Sequence, residues 1–382
     1  MMLFEPLKIK GLELKNRIVM PSMGVGVGLR GRRARAFYGE RARGGVGAII
    51  AGGTPVDLFV SDEAWDQAGA LDSFIDGLRT FTSFIGDAGA KMGMQLWHGN
   101  RYPAGNGTRN DPRGEPVAPS TETVPVRGNL ADGLESDTTY EKRRGLTTDE
   151  VRDIIAKFGN AAAKVKEAGF DFVEVNGCHV YLPCQFFSPA HNHRNDEYGG
   201  DLLKRMRFGL DCVKAMRAAV DEDYPIFFRL GTYEDGPGGI TLEDSIEFAI
   251  QLEKAGVDVL NVSVGEYQNQ HLFEPSREER MGCNVWIAEG IKKRVGIPVI
   301  TVGRINSHKI AESILTQGRA DLIAIGRQLI ADPFWPKKVM EGRTRELVAC
   351  KSCSPCPPLP ATPGPGFSCI VNPLWEGREL KE

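Results

Sequence analysis

The sequence predicts an α/β protein, a TIM (β/α)8 barrel with a short C-terminal cysteine-rich extension. Three observations support this fold: eight short apolar runs rich in β-branched residues, amphipathic helical patterns between most of them, and polar residues where the runs end. A barrel pairs its last strand with its first and leaves no sheet edge exposed, which favours it over an open doubly wound sheet. A chain of 382 residues, 41% of them hydrophobic, can form such a barrel as one large domain.

The eight predicted strands are short runs bounded by turn residues. They cover residues 18–21, 46–51, 92–97, 172–176, 225–230, 257–264, 298–302 and 322–326. The clearest helical patterns lie between the later strands and repeat apolar residues with a helical period. They cover residues 148–168, 202–220, 242–255, 285–295 and 308–317. A capping box from Thr147 to Glu150 begins the first of these helices, and Gly169 ends it.

The segment 101–145 follows the third strand and is rich in Gly, Pro, Asn and Asp. It is too polar for a core, and it is too long for an ordinary barrel connection. We interpret it as an active-site loop or lid.

The charge balance excludes a dedicated nucleic-acid or anionic-membrane surface. The chain has 47 basic and 50 acidic side chains, for a net charge of -3. The basic runs 30–35 and 142–144 are interpreted as solvated faces or loops. The N-terminus lacks the layout of a signal peptide, and no stretch approaches the roughly 20 apolar residues of a membrane span. We therefore expect a cytoplasmic protein in a reducing compartment.

The ends of the strands carry candidate binding residues, because TIM-barrel active sites form at the carboxyl ends of the strands. Gln95, near the end of the third strand, offers both a donor and an acceptor, which suits the edge of an imide-like ring. Arg229, in the fifth strand, is expected to be buried and could hold a developing negative charge. Taken singly, either residue could instead belong to an ion pair or amide network inside the barrel.

The fourth strand ends in the densest group of polar residues. Asn176 and His179 could donate hydrogen bonds to one substrate oxygen, and Tyr181 could deliver a proton from the side. The alternative is a histidine satisfied by a backbone carbonyl and a tyrosine packed under a loop. Cys178 and Cys184 have no partners at metal-ligand spacing and are interpreted as packing residues.

Two Gly-Arg pairs follow the last two strands, Gly303-Arg304 and Gly326-Arg327. Glycine lets backbone N–H groups approach an oxyanion that the arginine side chains also neutralise. Because barrels usually hold phosphate at this position, the two pairs predict a phosphate site.

Four cysteines lie near the C-terminus, Cys350, Cys353 and Cys356 at CxxC spacing and Cys369 after twelve further residues. An iron–sulfur cubane fits this all-cysteine pattern best, and a structural zinc site is the main alternative. A disulfide pair is the weaker alternative. We assign residues 1–345 to the barrel and 346–382 to a cluster-binding extension.

Several segments together resemble the old yellow enzyme family of FMN-dependent barrels over almost the whole chain. They include Leu14-Lys-Asn-Arg-Ile-Val-Met-Pro21, Gln95-Leu-Trp-His98, Asn195-Asp-Glu-Tyr-Gly-Gly200 and Ala331-Asp-Pro333. The resemblance implies an FMN site formed by Pro21, Ser22, Met23, Gly24, Gly53, Gln95, Arg229, Gly303, Arg304, Gly326 and Arg327. It also implies that Asn176 and His179 bind the substrate oxygen and that Tyr181 is the proton donor.

The terminal cysteines narrow the resemblance to the iron–sulfur branch, which includes 2,4-dienoyl-CoA reductase, 2-enoate reductase and trimethylamine dehydrogenase. The reductases usually carry histidine where this chain has Asn176. Trimethylamine dehydrogenase carries a cysteine, bonded to the flavin, near the position of Gly24, so FMN should be dissociable here. Larger members of this branch continue past the cluster into a nucleotide-binding half, whereas this chain stops thirteen residues after Cys369. Either a separate protein exchanges its electrons, or the chain is a piece of a larger one.

These features predict an ene-reductase that uses FMN and a 4Fe-4S cluster to reduce an activated C=C bond in an enone, enoate or enoyl thioester. The first alternative is an amine dehydrogenase or oxidative N-demethylase. The second is an electron-transfer subunit that carries cofactors without turning over a substrate. The expected partners are a small-molecule substrate, a separate electron-donor or acceptor protein and, as a possibility, further copies of the chain.

Overall fold

A computed structural model describes residues 1–29, 31–59, 70–99, 116–126, 139–236, 238–265, 270–353, 356 and 369–372. Its strands are β1 (Leu7–Ile9), β2 (Leu12–Leu14), β3 (Ile18–Met20), β4 (Ala48–Pro55), β5 (Lys91–Trp97), β6 (Val117–Ala118), β7 (Glu122–Val126), β8 (Thr139–Gly145), β9 (Phe172–Gly177), β10 (Ile226–Gly231), β11 (Val259–Ser263), β12 (Val299–Thr301) and β13 (Leu322–Ala324). Its helices are α1 (Arg32–Arg43), α2 (Ala70–Asp87), α3 (Thr148–Glu167), α4 (Leu182–Phe187), α5 (Leu202–Ala219), α6 (Leu242–Ala255), α7 (Gln270–Phe273), α8 (Val285–Lys292), α9 (His308–Thr316), α10 (Arg327–Ala331) and α11 (Trp335–Met340).

Eight parallel strands close into a barrel in the order β3-β4-β5-β9-β10-β11-β12-β13, with β13 pairing back onto β3. Each of them lies at one of the eight predicted strand positions, so the predicted TIM barrel is confirmed. The structure also confirms the capping box of α3, in which the Thr147 side chain accepts from the Glu150 backbone N–H. No helix in the described ranges is long and apolar enough to cross a membrane.

The inside of the barrel changes from apolar to polar along the strands. The lower layer contains Phe172, Phe227 and Val259, which pack with the β1–β2 hairpin that closes the amino-terminal end of the barrel. The rings of Phe172 and Phe227 stack with their centroids 4.2 Å apart. Two residues further along the same strands lie Glu174, Arg229 and Asn261. Because alternate residues of a strand face the same side, these three and Gln95 of β5 form a polar layer above the apolar one.

Part of the predicted active-site loop 101–145 is a small sheet rather than a loop. Strand β8 pairs with β6 and β7, and Arg143 of β8 is buried beside Glu122, with 3.4 Å between Nη1 and Oε1. The interpretation of 142–144 as a wholly solvated run is therefore wrong at Arg143. The basic run at 30–35 continues into α1, which the helical patterns did not single out. Residues 101–115 and 127–138 of the predicted loop lie outside the described residues.

Candidate active site

The turn after β9, which contains His179 and leads to Tyr181, has a strained backbone. His179 and Val180 both adopt positive φ angles, 51° and 63°, a region that a β-branched residue rarely occupies. Such strain costs on the order of 1–3 kcal/mol per residue and concentrates at functional sites. The turn ends at Tyr181, the N-cap residue of α4. The Tyr181 ring is half-exposed and lies 5.3 Å from the Trp97 ring, measured between centroids.

Asn176 is held in one orientation by its neighbours. Its Nδ2 donates to Gln95 Oε1 at 3.0 Å, and its Oδ1 accepts from the backbone N–H and the thiol of Cys178 at 3.4 and 3.2 Å. Cys178, interpreted from the sequence as a packing residue, therefore also bonds to a predicted catalytic side chain. An amide nitrogen carries two hydrogens, so a second Asn176 N–H remains to polarise a ligand oxygen.

His179 bonds to Ser263 at the end of β11, with 2.8 Å between Nε2 and Oγ. Arg229 Nη2 donates to the same Oγ at 3.5 Å. Ser263 Oγ can accept from Arg229 and either accept from or donate to His179, so this contact orients the imidazole through Nε2 in either tautomer. The His179 ring also packs against Phe273, with centroids 4.6 Å apart. Asn176 and His179 thus have different partners within the protein, and Ser263 is a site residue that the sequence reasoning missed.

Arg229 is half-buried rather than buried as expected. Its Nη1 donates to the Ser22 carbonyl oxygen at 3.2 Å, whereas its Nε is enclosed and has no hydrogen-bond partner in the described structure. An enclosed guanidinium N–H without an acceptor is a position where a ligand oxygen or nitrogen fits. The hydrogen bond from Arg229 to Ser22 therefore joins the end of β10 to the segment that follows β3.

A cavity of about 320 Å³ lies between the segment after β3 and the end of β4, and five glycines line it together with larger side chains such as Tyr38 and Phe74. Gly24 faces open space, and a Cβ on Gly53 would lie 2.7 Å from the Trp97 ring. At Gly326 a Cβ would lie 3.0 Å from Met23 Sδ and 3.6 Å from Pro21 Cγ. A flat ring system can approach the backbone closely at such positions. Of the residues predicted for FMN, Met23, Gly24 and Gly53 line this cavity, which leaves room for a planar ring, and the FMN site stays a prediction.

The two predicted phosphate arginines contact the cysteine segment, which we define as the described residues between 348 and 372. Arg327 Nη1 donates to the Cys353 carbonyl oxygen at 2.8 Å, and Nη2 donates to that of Pro275 at 2.7 Å. Arg304, which has a positive φ of 52°, donates to Ser352 Oγ at 3.3 Å and also to the Glu279 carbonyl oxygen. Both arginines thus join the ends of the last two barrel strands to the cysteine segment and to residues Pro275 and Glu279. Their phosphate role stays a prediction.

The helix α10 fixes the cysteine segment on the barrel. Gln328 Nε2 donates to the Val348 carbonyl oxygen at 2.8 Å, and its Oε1 accepts from the Cys350 backbone N–H at 2.9 Å. Asn372 Nδ2 donates to the Ile330 carbonyl oxygen at 2.8 Å. The sequence gives no motif for these three contacts, because they depend on which backbone groups the segment presents after folding.

The terminal cysteines act on one another electrostatically: Cys369 and Cys353 on Cys350, and Cys350 and Cys353 on Cys356. Burial raises the pKa of the Cys350 thiol, and the charges of Cys369 and Cys353 raise it further, while Arg327 lowers it. Burial raises the pKa of Cys356 to about 12. None of the chain's eight cysteines forms a disulfide, and all eight are described. Four thiols are a suitable donor set for a cluster. However, the described residues contain no group of three or more His, Cys, Asp or Glu side chains in metal-binding geometry.

The chain is similar to several known proteins. A family model described as "NADH:flavin oxidoreductase / NADH oxidase family" matches residues 2–346. An NADH oxidase of Thermoanaerobacter brockii is 41% identical over 384 residues, which cover 99% of this chain and 56% of that protein. A cinnamate reductase of Clostridium sporogenes is 33% identical over 403 residues, covering 99% of this chain and 58% of that protein. The chain spans about half the length of the curated relatives it matches.

Two solved structures extend the comparison. A 2-naphthoyl-CoA reductase bound to 2-naphthoyl-CoA superposes with a TM-score of 0.83 at 28% identity, over 98% of this chain and 58% of that one. A histamine dehydrogenase from Rhizobium sp. 4-9 superposes with a TM-score of 0.79 at 27% identity, over 98% of this chain and 52% of that one. The similarity thus includes enzymes named for opposite directions of electron flow.

Proposed function

Because the chain belongs to the NADH:flavin oxidoreductase / NADH oxidase family and is a flavin-dependent oxidoreductase, we propose that it is an ene-reductase using FMN and a 4Fe-4S cluster. Its substrate would be an enone, enoate or enoyl thioester. The main support for the proposal is the strained turn after β9. This turn places the Tyr181 ring beside the Trp97 ring, while Asn176 remains hydrogen-bonded to Gln95. An acid and an oxygen-polarising donor thereby leave one strand end together.

Each residue has a separate role in this proposal. FMN, when bound, supplies the hydride that reduces the alkene. The second N–H of Asn176 and a ring N–H of His179 polarise the substrate carbonyl, as donors in an oxyanion hole do. The Tyr181 hydroxyl donates the proton that the α-carbon gains. Gln95 and Arg229 hold the flavin ring, and Gly24 leaves no side chain that could bond to it covalently.

The cysteine segment would hold the cluster through Cys350, Cys353, Cys356 and Cys369. Protein made without oxygen should then contain about four irons and about four acid-labile sulfides per chain. Cys369→Ala should lose most of this iron, whereas Cys212→Ala, a fully buried thiol in α5, should keep it. Stoichiometric zinc without sulfide would instead support a structural zinc site.

A second candidate function, amine dehydrogenation or oxidative N-demethylation, rests on the structural match to the histamine dehydrogenase. It would use the same flavin site, with electrons passing from the substrate to the flavin.

Electron flow distinguishes the candidates. Enoates and tertiary amines are added without oxygen to the oxidised and to the chemically reduced protein, and the flavin absorbance is followed. The proposal predicts that enoates reoxidise the reduced protein and that amines leave the oxidised protein unchanged. Reduction of the oxidised protein by an amine would support the second candidate. The separate electron partner, association into homo-oligomers and a cytoplasmic location stay predictions.

A further inference from the structure

The polar layer contains one carboxylate that neither the motifs nor the proposed mechanism assigned. Glu174 lies in the middle of β9 and is 0% exposed. Its Oε1 accepts from Gln95 Nε2 at 2.7 Å, and its Oε2 accepts from Asn261 Nδ2 at 2.8 Å. Burial raises the pKa of Glu174, and the charge of Arg229 and the two amide donors act in the opposite direction. A carboxylate accepts at both oxygens and donates at neither, so both amides must turn their nitrogens toward it.

This constraint extends to the predicted catalytic asparagine. Since the nitrogen of Gln95 faces Glu174, its Oε1 faces Asn176 and accepts from Nδ2. Asn176 Oδ1 is then left to accept from Cys178. The hydrogen bonds therefore run in one direction, from Cys178 through Asn176 and Gln95 to Glu174. Reversing one member would place two donors against each other, which leaves a buried polar group unsatisfied.

We propose that Glu174 is a positioning residue that fixes the orientation of the Gln95 and Asn176 amides, and so decides which atoms they present to flavin and substrate. The inference rests on the proposed function. It assigns to Glu174 no contact with either ligand. A mere packing role would require only a side chain of the same size, whereas an orienting role requires an acceptor facing Gln95.

The test uses an isosteric change and its compensation. In Glu174→Gln, with Gln95 and Asn261 in their parent orientations, the new amide turns its nitrogen toward one of them and places a donor against a donor. In the double variant Glu174→Gln/Asn261→Asp, the glutamine oxygen can again accept from Gln95 while its nitrogen donates to the new aspartate. Asn261 pairs in register with Arg229, so the double variant also keeps one negative charge beside that arginine.

FMN binding to the full-length apoprotein is measured by quenching of flavin fluorescence, together with the flavin reduction potential and the melting temperature. Glu174→Gln should raise the Kd for FMN on the order of tenfold or more, the range expected for losing a charged hydrogen-bond partner. Its flavin potential should rise, because a negative charge below the site is lost. The double variant should return both quantities to near the parent values.

Asp258→Asn is the matched control, because Asp258 is a buried carboxylate at the opposite end of the barrel that bonds to Arg217 and to the Ile226 backbone N–H. It should lower the melting temperature and leave the Kd for FMN unchanged. An equal loss of FMN affinity in Asp258→Asn would overturn the specific role of Glu174.

Parent-like FMN binding by Glu174→Gln would also overturn the inference, as would a double variant that recovers nothing. If Glu174→Gln does not fold, the double variant decides: recovery of folding and FMN affinity supports the inference, and failure of either overturns it. A parent protein that binds no FMN would refute the proposed function itself, a result distinguishable because it precedes any substitution.

Discussion

The two layers inside the barrel differ in chemistry although they lie on the same strands, one above the other. Phe172 and Phe227 of the lower layer stack on each other and need no specific partner. Two residues further on, Glu174 and Arg229 belong to a layer in which hydrogen-bond donors and acceptors must match. An apolar layer gains stability from buried area alone, whereas a polar layer must satisfy each donor and acceptor or lose stability.

The residues that stabilise the barrel and the residues proposed to orient ligands therefore lie only about 7 Å apart, the length of two residues of a strand. The lower layer closes the barrel with the β1–β2 hairpin, and the polar layer faces the strand ends where ligands bind in barrels. Substitutions in the lower layer should therefore change unfolding, and substitutions at and above the polar layer should change binding and turnover. A substitution in one layer that changes the property expected of the other layer would contradict this separation.

The largest effect is expected at Tyr181, above the polar layer. Tyr181→Phe removes the proposed acid and keeps the ring against Trp97, so alkene-dependent reoxidation of the flavin should slow by on the order of 10²–10⁴. Chemical reduction of the flavin should be unchanged, because it uses no substrate proton. Stopped-flow absorbance measures both rates. Tyr224→Phe, which loses a buried hydroxyl bonded to the Phe170 carbonyl oxygen, is the control and should react at the parent rate.

In the lower layer, a substitution should change the free energy of unfolding by about as much as Tyr181→Phe changes the activation free energy of alkene reduction. Phe172→Ala removes a fully buried ring that stacks on Phe227 and should lower the free energy of unfolding by about 3–5 kcal/mol. Denaturant unfolding measures the change. At temperatures where the variant stays folded, its Kd for FMN should match the parent value. A large loss of FMN affinity would show that the two layers are not separate.

A smaller effect is expected where the barrel meets the cysteine segment. Arg327→Gln and Arg304→Gln should each weaken FMN binding by about 10- to 100-fold if these side chains hold its phosphate. Because Arg327 also donates to the Cys353 carbonyl oxygen, its variant should lose iron as well. Flavin and iron contents are measured on the same samples. Arg319→Gln, which breaks an ion pair with Glu289, should keep both contents, and unchanged FMN in both test variants would refute the phosphate assignment.

The smallest effect concerns Glu150, at the start of α3 and outside both layers. The hydrogen bond from Arg144 lowers the pKa of Glu150 to about 2. A depressed folded-state pKa adds stability above the ordinary pKa, near 4, and that stability is lost as the pH falls toward 2. Arg144→Gln should raise this pKa and lower the melting temperature slightly at pH 6, with the difference vanishing near pH 2. Since the pair is partly exposed, the change should stay below about 1 kcal/mol.

The barrel was predictable because its strands are short apolar runs, whose positions depend on local sequence. The residues predicted at the end of the fourth strand do leave one turn together, and Gln95 and Asn176 are bonded to each other. Glu174 and Ser263 were missed, since their partners lie 79 and 84 residues away in sequence. The alternation Phe172, Glu174, Asn176 could have identified Glu174, because a charged residue at an inward position of a buried strand needs partners. The partners of Arg304 and Arg327 could not be predicted, because they depend on the fold of the cysteine segment, whose sequence has no helical or strand periodicity.

The proposed ene-reduction at the end of the polar layer is tested most directly by counting products in a single turnover. The parent protein is reduced without oxygen to one equivalent of reduced flavin and mixed with a cinnamate-type enoate, and the saturated acid is quantified. Ene-reduction predicts one saturated product for each flavin that is reoxidised. No saturated product from any enone, enoate or enoyl thioester, together with flavin reduction by a tertiary amine, would contradict it.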